Sequence, residues 1–314
     1  MTRAKKKAVL LVAWLAMAAC HRDLPRETRR QTEPVVRELR PAAGELVLPL
    51  RDGSVRFAVI GDSGRGDDPQ REVAAQMVAW RERFAFSFVL MLGDNIYPPH
   101  DANDYLKKFE APYRALLDAG VSFHAAIGNH DEPDEINYKG FNMDGRRYYT
   151  FREGEKSLKG LAGAGVRFFA LDSRSFDRDQ LAWLKKALDD SNTRWKIAFF
   201  HHPLYTSGRY QAGARSLRSA VEPILVDGDV DVVLSGHEHF YERIVPQHGI
   251  AYFISGGAGS LRRGDIRPSA ARARGFDTDY HFLMIEVSGD ELWFQAISRT
   301  GATIDAGVIT RHAP

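Results

Sequence analysis

The sequence predicts an α/β domain whose main strands are buried on both faces. From Val55 onward, short apolar runs alternate with stretches of helical periodicity, which is typical of strands joined by crossover helices. The 314 residues are 44% hydrophobic and 27% charged, a composition that excludes a disordered or collagen-like chain. We find no internal repeat and no second linker beyond the N-terminal region, so the chain can bury one large core.

The apolar runs predict the strands, and the amphipathic segments between them predict the helices. Six strands are expected at residues 55–60, 86–92, 121–127, 166–171, 195–200 and 230–234. Helices are expected at residues 69–83, 103–119, 179–189 and 214–226. The tail predicts further strands at residues 250–255, 281–287 and 291–298, with a turn at 288–290. Two such sheets would face each other.

The first 19 residues have the features of a secretory signal peptide. A basic start precedes an apolar run at residues 8–19, which is shorter than the ~20 residues that span a bilayer. The single cysteine, Cys20, follows directly, so no intramolecular disulfide can form. This segment resembles a bacterial lipoprotein signal, and the resemblance implies a lipidated Cys20. An ordinary signal peptide and a buried N-terminal helix are the alternatives.

The resemblance implies a signal peptide at 1–19, a tether at 20–45 and a catalytic domain at 46–314. Residues 21–45 are charged and contain prolines, as a tether would. His21 stands where an Asp would imply inner-membrane retention, so we expect an exported, lipid-anchored protein of the outer membrane that faces the periplasm. Without the signal, 39 basic residues stand against 41 acidic ones, which gives no case for a nucleic-acid partner. The oligomeric state stays open.

Polar residues follow five of the six predicted strands. The five motifs are Gly61-Asp62, Gly93-Asp94-Asn95-Ile96-Tyr97, Gly128-Asn129-His130-Asp131, His201-His202-Pro203 and Gly236-His237-Glu238-His239. The carboxyl ends of parallel strands meet at one edge of a sheet, and glycine allows a sharp turn there. Oxygen and imidazole donors suit transition metals, and these suffice for two ions with one bridging carboxylate. Each motif alone is weak, since a Gly-Asp after a strand is more often a turn, but together they predict a dimetal site.

Over residues 55–300 these motifs resemble the calcineurin-like metallophosphoesterase superfamily, and Tyr97 resembles the iron-binding tyrosine of small, mammalian-type purple acid phosphatases. Three connecting segments, at residues 100–104, 180–186 and 255–259, are also similar. The resemblance implies a four-layer αββα sandwich. It further implies an Fe(III) site formed by Asp62, Asp94, Tyr97 and His239. A divalent ion, Fe, Zn or Mn, would be held by Asp94, Asn129, His201 and His237.

Two such cations would clamp a phosphate ester and lower the pKa of bound water, so that hydroxide attacks the phosphorus in line. The resemblance implies that His130 orients the substrate or protonates the leaving oxygen; the alternative is a structural bond to Asp131. His202 is expected to contact substrate, to lie behind the ligands or to be exposed. The family's further active-site histidine is replaced by Tyr210, so either Tyr210 or Arg209 binds phosphate or the pH optimum differs.

The expected activity is therefore hydrolysis of phosphomonoesters. A phosphodiesterase or nucleotide hydrolase on the same scaffold is one alternative, because such motifs do not separate the two. A catalytically silent surface binding protein is an alternative of another class. Five arginines of residues 261–275 could border the cleft and recruit polyanionic substrates, or form a solvated loop: Arg262, Arg263, Arg267, Arg272 and Arg274.

Overall fold

The computed structural model describes residues 33–154 and 165–311. Its strands, in chain order, are β1 (Val35–Glu38), β2 (Val55–Ile60), β3 (Phe88–Met91), β4 (Ser122–Ala125), β5 (Tyr149–Glu153), β6 (Val166–Ala170), β7 (Trp195–Phe200), β8 (Val232–Ser235), β9 (Tyr241–Ile244), β10 (Ala251–Ser255), β11 (Arg272–Phe276), β12 (His281–Ser288), β13 (Glu291–Ser298) and β14 (Thr303–Thr310). Its α-helices are α1 (Asp68–Arg81), α2 (Arg114–Asp118), α3 (Arg178–Asp189) and α4 (Gln211–Asp227). The predicted signal peptide and Cys20 lie outside the described residues.

The strands form two seven-stranded mixed sheets. The first has the order β1-β14-β13-β12-β2-β3-β4, and the second has the order β11-β9-β10-β8-β7-β6-β5. Strands β2, β3 and β4 are parallel to one another, as are β6, β7, β8 and β10. The turns that follow these parallel strands therefore lie at the carboxyl edge of each sheet, where α/β folds collect their ligands.

Aromatic side chains fill the space between the two sheets. The rings of Phe57 and Phe88 lie 5.3 Å and 5.4 Å from the ring of Phe168, both nearly perpendicular to it. Such edge-to-face pairs add about 0.5–1.5 kcal/mol beyond the burial of their surface. The buried residues Leu184 of α3 and Val221 of α4 cover the other face of the second sheet, and α1 packs on the first. The predicted α/β four-layer sandwich is confirmed.

The first strand lies in the segment that the sequence assigns to the tether. Strand β1 pairs with β14 in an antiparallel register from Val35 to Glu38. Val36 packs against the core, and Glu38 accepts a 2.8 Å hydrogen bond from the buried Arg243. These two contacts place residues 35–38 in the folded domain, because an apolar side chain and a carboxylate both find partners there.

Other differences have local causes. The helix predicted at 103–119 is interrupted: a π-helical turn at Leu106–Glu110 precedes α2, and Pro112 between them cannot donate a helical hydrogen bond. Two 3-10 turns follow β4, at Pro133–Asn137 and Lys139–Phe141. Within the described ranges, none of the helices has the length and hydropathy needed to cross a membrane.

Candidate metal centre

The five strand-end motifs meet at one cleft, and three of their residues have left-handed backbone conformations. The φ angles are +55° at Asp62, +53° at Asp94 and +67° at His237. Residues other than glycine rarely adopt this backbone conformation. It stores strain in the backbone, and such strain is common at functional sites. The sharp turns direct these three side chains into the cleft instead of along the strand direction.

Asp62, Tyr97 and His239 form the first group of donor atoms. Tyr97 Oη lies 3.2 Å from Asp62 Oδ1 and 3.1 Å from His239 Nε2, and His239 Nε2 lies 3.2 Å from Asp62 Oδ1. Two donor atoms bound to one ion at about 2.1 Å are themselves roughly 3 Å apart. The three buried side chains are therefore close enough together to share one ion.

Asn129, His201 and His237 form the second group. His201 Nε2 lies 3.0 Å from Asn129 Oδ1 and 3.1 Å from His237 Nδ1. Asp94 Oδ1 is 3.3 Å from His201 Nε2, and an Asp94 oxygen also lies within 4.8 Å of the donor atoms of Asp62 and His239. Asp94 thus reaches both groups, as a bridging carboxylate must.

The charges at this cleft fit a bound cation. Burial and the neighbouring Asp94 charge raise the pKa of Asp62 well above its ordinary value. Burial also lowers the pKa of His237 to about 2 and that of His239 to about 3. The imidazoles are therefore neutral with lone pairs to share, while no Lys or Arg of the described chain forms an ion pair with Asp62 or Asp94. Cations bound in the cleft would supply the missing positive charge.

Tyr97 needs such a cation to become a phenolate. Burial and then the Asp62 charge raise the pKa of its hydroxyl far above the ordinary range. Without a bound cation the phenol stays protonated at any physiological pH. A strong Lewis acid beside Asp62 would be required to replace that proton.

The glycines of two motifs allow the ligand residues to approach one another. A Cβ on Gly128 would lie 2.2 Å from the amide nitrogen and Oδ1 of Asp94. Gly93 has a φ of +89°, and a Cβ there would lie 2.7 Å from His201 Nδ1. That nitrogen instead lies 2.9 Å from the Leu92 carbonyl oxygen, which leaves His201 Nε2 facing the cleft.

Asp131 connects two of the turns, a role that sequence reasoning missed. Its carboxylate accepts hydrogen bonds from the amides of Asn95 (2.6 Å), Ile96 (3.0 Å) and Gly128 (2.7 Å). No hydrogen bond joins Asp131 to His130 in the described structure. The His130 side chain is exposed, with its ring 4.8 Å from the Tyr97 ring. The structure thus places His130 at the open side of the cleft.

His202 lies beside the second donor group. Its ring centroid is 4.4 Å from that of His237, and its Nδ1 lies 2.9 Å from Ser173 Oγ. Ser173 also accepts a 2.8 Å hydrogen bond from the His202 amide, so the imidazole is held at two points. Ser173 was missed, although Asp172 and Ser173 follow the remaining predicted strand as the other motifs follow theirs.

Tyr210 and Arg209 have different surroundings. The Tyr210 ring lies 4.2 Å from the His237 ring, at the edge of the cleft. Its amide donates to the buried Glu238, a residue of the His-Glu-His motif with no assigned role in the sequence analysis. Arg209 forms a 2.8 Å ion pair with Asp265, so its charge is already compensated. Of these two candidates for a phosphate contact, the structure brings Tyr210 to the cleft.

The sequence is similar to those of known phosphoesterases. Residues 55–241 match the family model described as calcineurin-like phosphoesterase. Purple acid phosphatase 17 of Arabidopsis thaliana is 29% identical over 253 residues, which cover 69% of this chain and 72% of the relative. Tartrate-resistant acid phosphatase type 5 of Homo sapiens is 24% identical over 315 residues, covering 85% and 96% of the two chains.

Solved structures share the fold. Purple acid phosphatase PPD1 from yellow lupin (Lupinus luteus) seeds superimposes with a TM-score of 0.63 at 18% identity, covering 86% of this chain and 55% of that one. GAP50, described as the anchor in the inner membrane complex of Plasmodium, gives a TM-score of 0.70 at 19% identity, covering 83% and 90%. The same architecture therefore occurs in one protein described as a phosphatase and in another described as an anchor.

Proposed function

Because the chain belongs to the calcineurin-like phosphoesterase family, we propose that it is a binuclear metal-dependent phosphatase that hydrolyses phosphomonoesters, similar to purple acid phosphatases. One observation carries the proposal: the Tyr97 hydroxyl lies within 3.2 Å of both Asp62 and His239 in a buried cleft. This adds a phenol to the carboxylate and imidazole donors, and oxygen-rich ligand sets favour hard, highly charged ions.

The two donor groups suggest two different ions. Asp62, Tyr97 and His239 would hold Fe(III), and Asn129, His201 and His237 would hold a divalent Fe, Zn or Mn ion; Asp94 would belong to both. When bound, two such cations neutralise charge on a phosphate ester and make water a stronger acid. The neutral imidazoles and uncompensated carboxylates described above support this assignment.

The chain's own side chains then bind the ester and move its protons. His130 is exposed beside Tyr97, where it can donate a proton to the leaving oxygen. His202 is held at Nδ1 by Ser173, which leaves its Nε2 to contact a substrate oxygen. The Tyr210 hydroxyl can donate a hydrogen bond to the ester, but a phenol has no cationic form that could replace an imidazolium.

The test is a kinetic comparison of two esters. The purified protein, loaded with iron plus zinc or manganese, is assayed with nitrophenyl phosphate and the matching diester from about pH 4 to pH 9. We expect a higher kcat/KM for the monoester. A preference for the diester would favour a phosphodiesterase or nucleotide hydrolase. No turnover of either ester by the metal-loaded protein would favour a catalytically silent binding protein. GAP50, which shares the fold and is described as an anchor, is an example of a non-enzymatic description for this architecture.

We also propose that the protein is exported and anchored by a lipid on Cys20, on the periplasmic side of the outer membrane. The support is the sequence of residues 1–20 alone. Mass spectrometry of the N-terminal peptide and membrane fractionation test it. We expect a lipidated Cys20 in the membrane fraction and release of the Cys20→Ser variant; an unmodified Cys20 would contradict the anchor.

A further inference from the structure

We propose that Arg262 binds the phosphoryl group of the substrate and gives the site its preference for phosphomonoesters over phosphodiesters. The inference rests on the phosphatase activity proposed above and concerns a residue for which the sequence left open a solvated loop. Three observations on its position and charge lead to it.

Arg262 is attached to the metal centre through its backbone and points its guanidinium at the same place. Its amide donates a 3.1 Å hydrogen bond to the His239 carbonyl oxygen. Its Nη1 lies 3.4 Å from the His237 carbonyl oxygen. The guanidinium therefore lies beside the motif that supplies one imidazole to each donor group.

The aromatic ring of Tyr210 contacts the Arg262 guanidinium. The Arg262 Cζ lies 5.4 Å from the centre of the Tyr210 ring, which in turn packs 4.2 Å from the His237 ring. A planar guanidinium stacks well on such a ring, and the contact limits the rotamers that the long side chain can adopt. Tyr210, which stands where the resembled family has a histidine, thus holds the permanently charged Arg262 side chain at the rim of the cleft.

The charge of Arg262 is not compensated. In the described chain it has no ion pair with a carboxylate, whereas Arg209 is paired with Asp265. Arg272 is occupied as well, since its Nη1 donates to Ser207 Oγ and to the Arg267 carbonyl oxygen. Among these three arginines, Arg262 alone has neither an ion pair nor a hydrogen bond to another side chain in the described chain. Its guanidinium contact, 3.4 Å from Nη1 to the His237 carbonyl oxygen, leaves further N–H donors for an incoming anion.

The preference for monoesters follows from charge and geometry. A phosphomonoester dianion carries about twice the charge of a diester monoanion, so an added fixed cation stabilises it more. A guanidinium can also donate to two phosphoryl oxygens at once, and a monoester has one more unesterified oxygen to accept. Histidine at the family position would lose its charge above its pKa, whereas arginine keeps it.

The test compares Arg262→Gln with Arg263→Gln in the metal-loaded full chain. Arg263 is the exposed neighbouring residue and controls for the loss of one positive charge. We measure kcat/KM for nitrophenyl phosphate and the matching diester, and the affinity for inorganic phosphate by calorimetry. We expect Arg262→Gln to lower the monoester value about 10-fold to 100-fold, since charge-assisted hydrogen bonds are lost. The diester value should change by less than about 3-fold, and phosphate binding should weaken with the monoester value.

Arg262→Lys and the metal content separate a binding role from a structural one. Arg262→Lys keeps the positive charge but lacks the planar guanidinium that can donate to two oxygens. We therefore expect its monoester turnover to lie between those of Arg262→Gln and the wild-type protein. Equal losses for both esters, a reduced metal content in Arg262→Gln, or the same effect in Arg263→Gln would overturn the inference.

The two proposals fail in distinguishable ways. If the wild-type protein turns over neither ester, the phosphatase proposal fails, while Arg262-dependent phosphate binding would still support this anion site. If the wild-type protein is active but Arg262→Gln keeps the ester ratio and the phosphate affinity, the Arg262 inference alone fails.

Discussion

Replacing Gly128 with alanine should disable the metal centre at a moderate cost in folding stability. The added Cβ would lie 2.2 Å from both the amide nitrogen and Oδ1 of Asp94, where ordinary van der Waals contact starts at 3.4 Å. The backbone and the carboxylate of Asp94 must therefore move away from residue 128 by about 1.2 Å, the difference between these distances. Asp94 Oδ1 also accepts a 2.9 Å hydrogen bond from the His130 amide, so the displacement passes to His130.

The size of the effect follows from this displacement. A misplacement of about 1 Å at a reacting centre can cost on the order of 100-fold in rate. Overpacking a well-filled interior usually costs about 1–3 kcal/mol of folding stability. We therefore expect Gly128→Ala to lower kcat/KM about 100-fold and to reduce the metal bound per chain, with a moderate loss in stability.

The assay pairs this variant with Gly213→Ala. Gly213 lies in α4 and a Cβ there meets nothing within 4 Å, so alanine should leave activity unchanged and stabilise the helix by roughly 0.5–1 kcal/mol. Metal content, kcat/KM and urea unfolding are measured for both variants. A Gly128→Ala protein with normal metal content and turnover would refute the argument that this glycine makes room for Asp94.

Three further predictions concern single side chains. Tyr97→Phe should remove the broad visible absorption of the oxidised, iron-loaded protein, and a colourless wild-type protein with bound iron would contradict the phenolate ligand. Tyr210→His should shift the pH profile of kcat/KM, because it introduces an imidazole, whose ordinary pKa is about 6.5; an unchanged profile would count against a role at the rim. Burial lowers the pKa of His281 to about 3, so the unfolded chain takes up a proton below about pH 6.5 that the folded chain excludes. The stability that His281 contributes is present above that pH and is lost as the pH falls, by about 2 kcal/mol at pH 5. His281→Gln should remove this acid sensitivity in urea unfolding, and an equally steep pH dependence would show that the destabilisation comes from other groups.

Strands that are mostly apolar could be predicted from the sequence. The predicted bounds of β2, β7 and β13 agree with the structure, because these strands are largely buried and their few polar residues do not interrupt the apolar signal. Strand β9 was missed because its centre is charged. Glu242 accepts from Ser207, and Arg243 donates to Asp305, so both are buried only with partners far away in the chain. No local pattern contains such partners.

The candidate site divides in the same way. The donor residues were predictable because each lies in a short motif after a strand, and strand ends converge on one edge. Whether the structure's grouping is the true ligand set remains a prediction. The supporting side chains were not predictable: the importance of Arg262 depends on Tyr210, 52 positions earlier in the chain, and that of Ser173 depends on His202.

The donor atoms come from both sheets. Asp62, Asp94, Tyr97 and Asn129 follow strands of the first sheet, while His201, His237 and His239 follow strands of the second. A pair of ions bridged by Asp94 would therefore link the two sheets of the sandwich through coordinate bonds. The two sheets could not separate without breaking coordinate bonds, so metal binding should stabilise the packing of one sheet on the other. Removal of the ions by a chelator should then lower the free energy of unfolding of the whole domain.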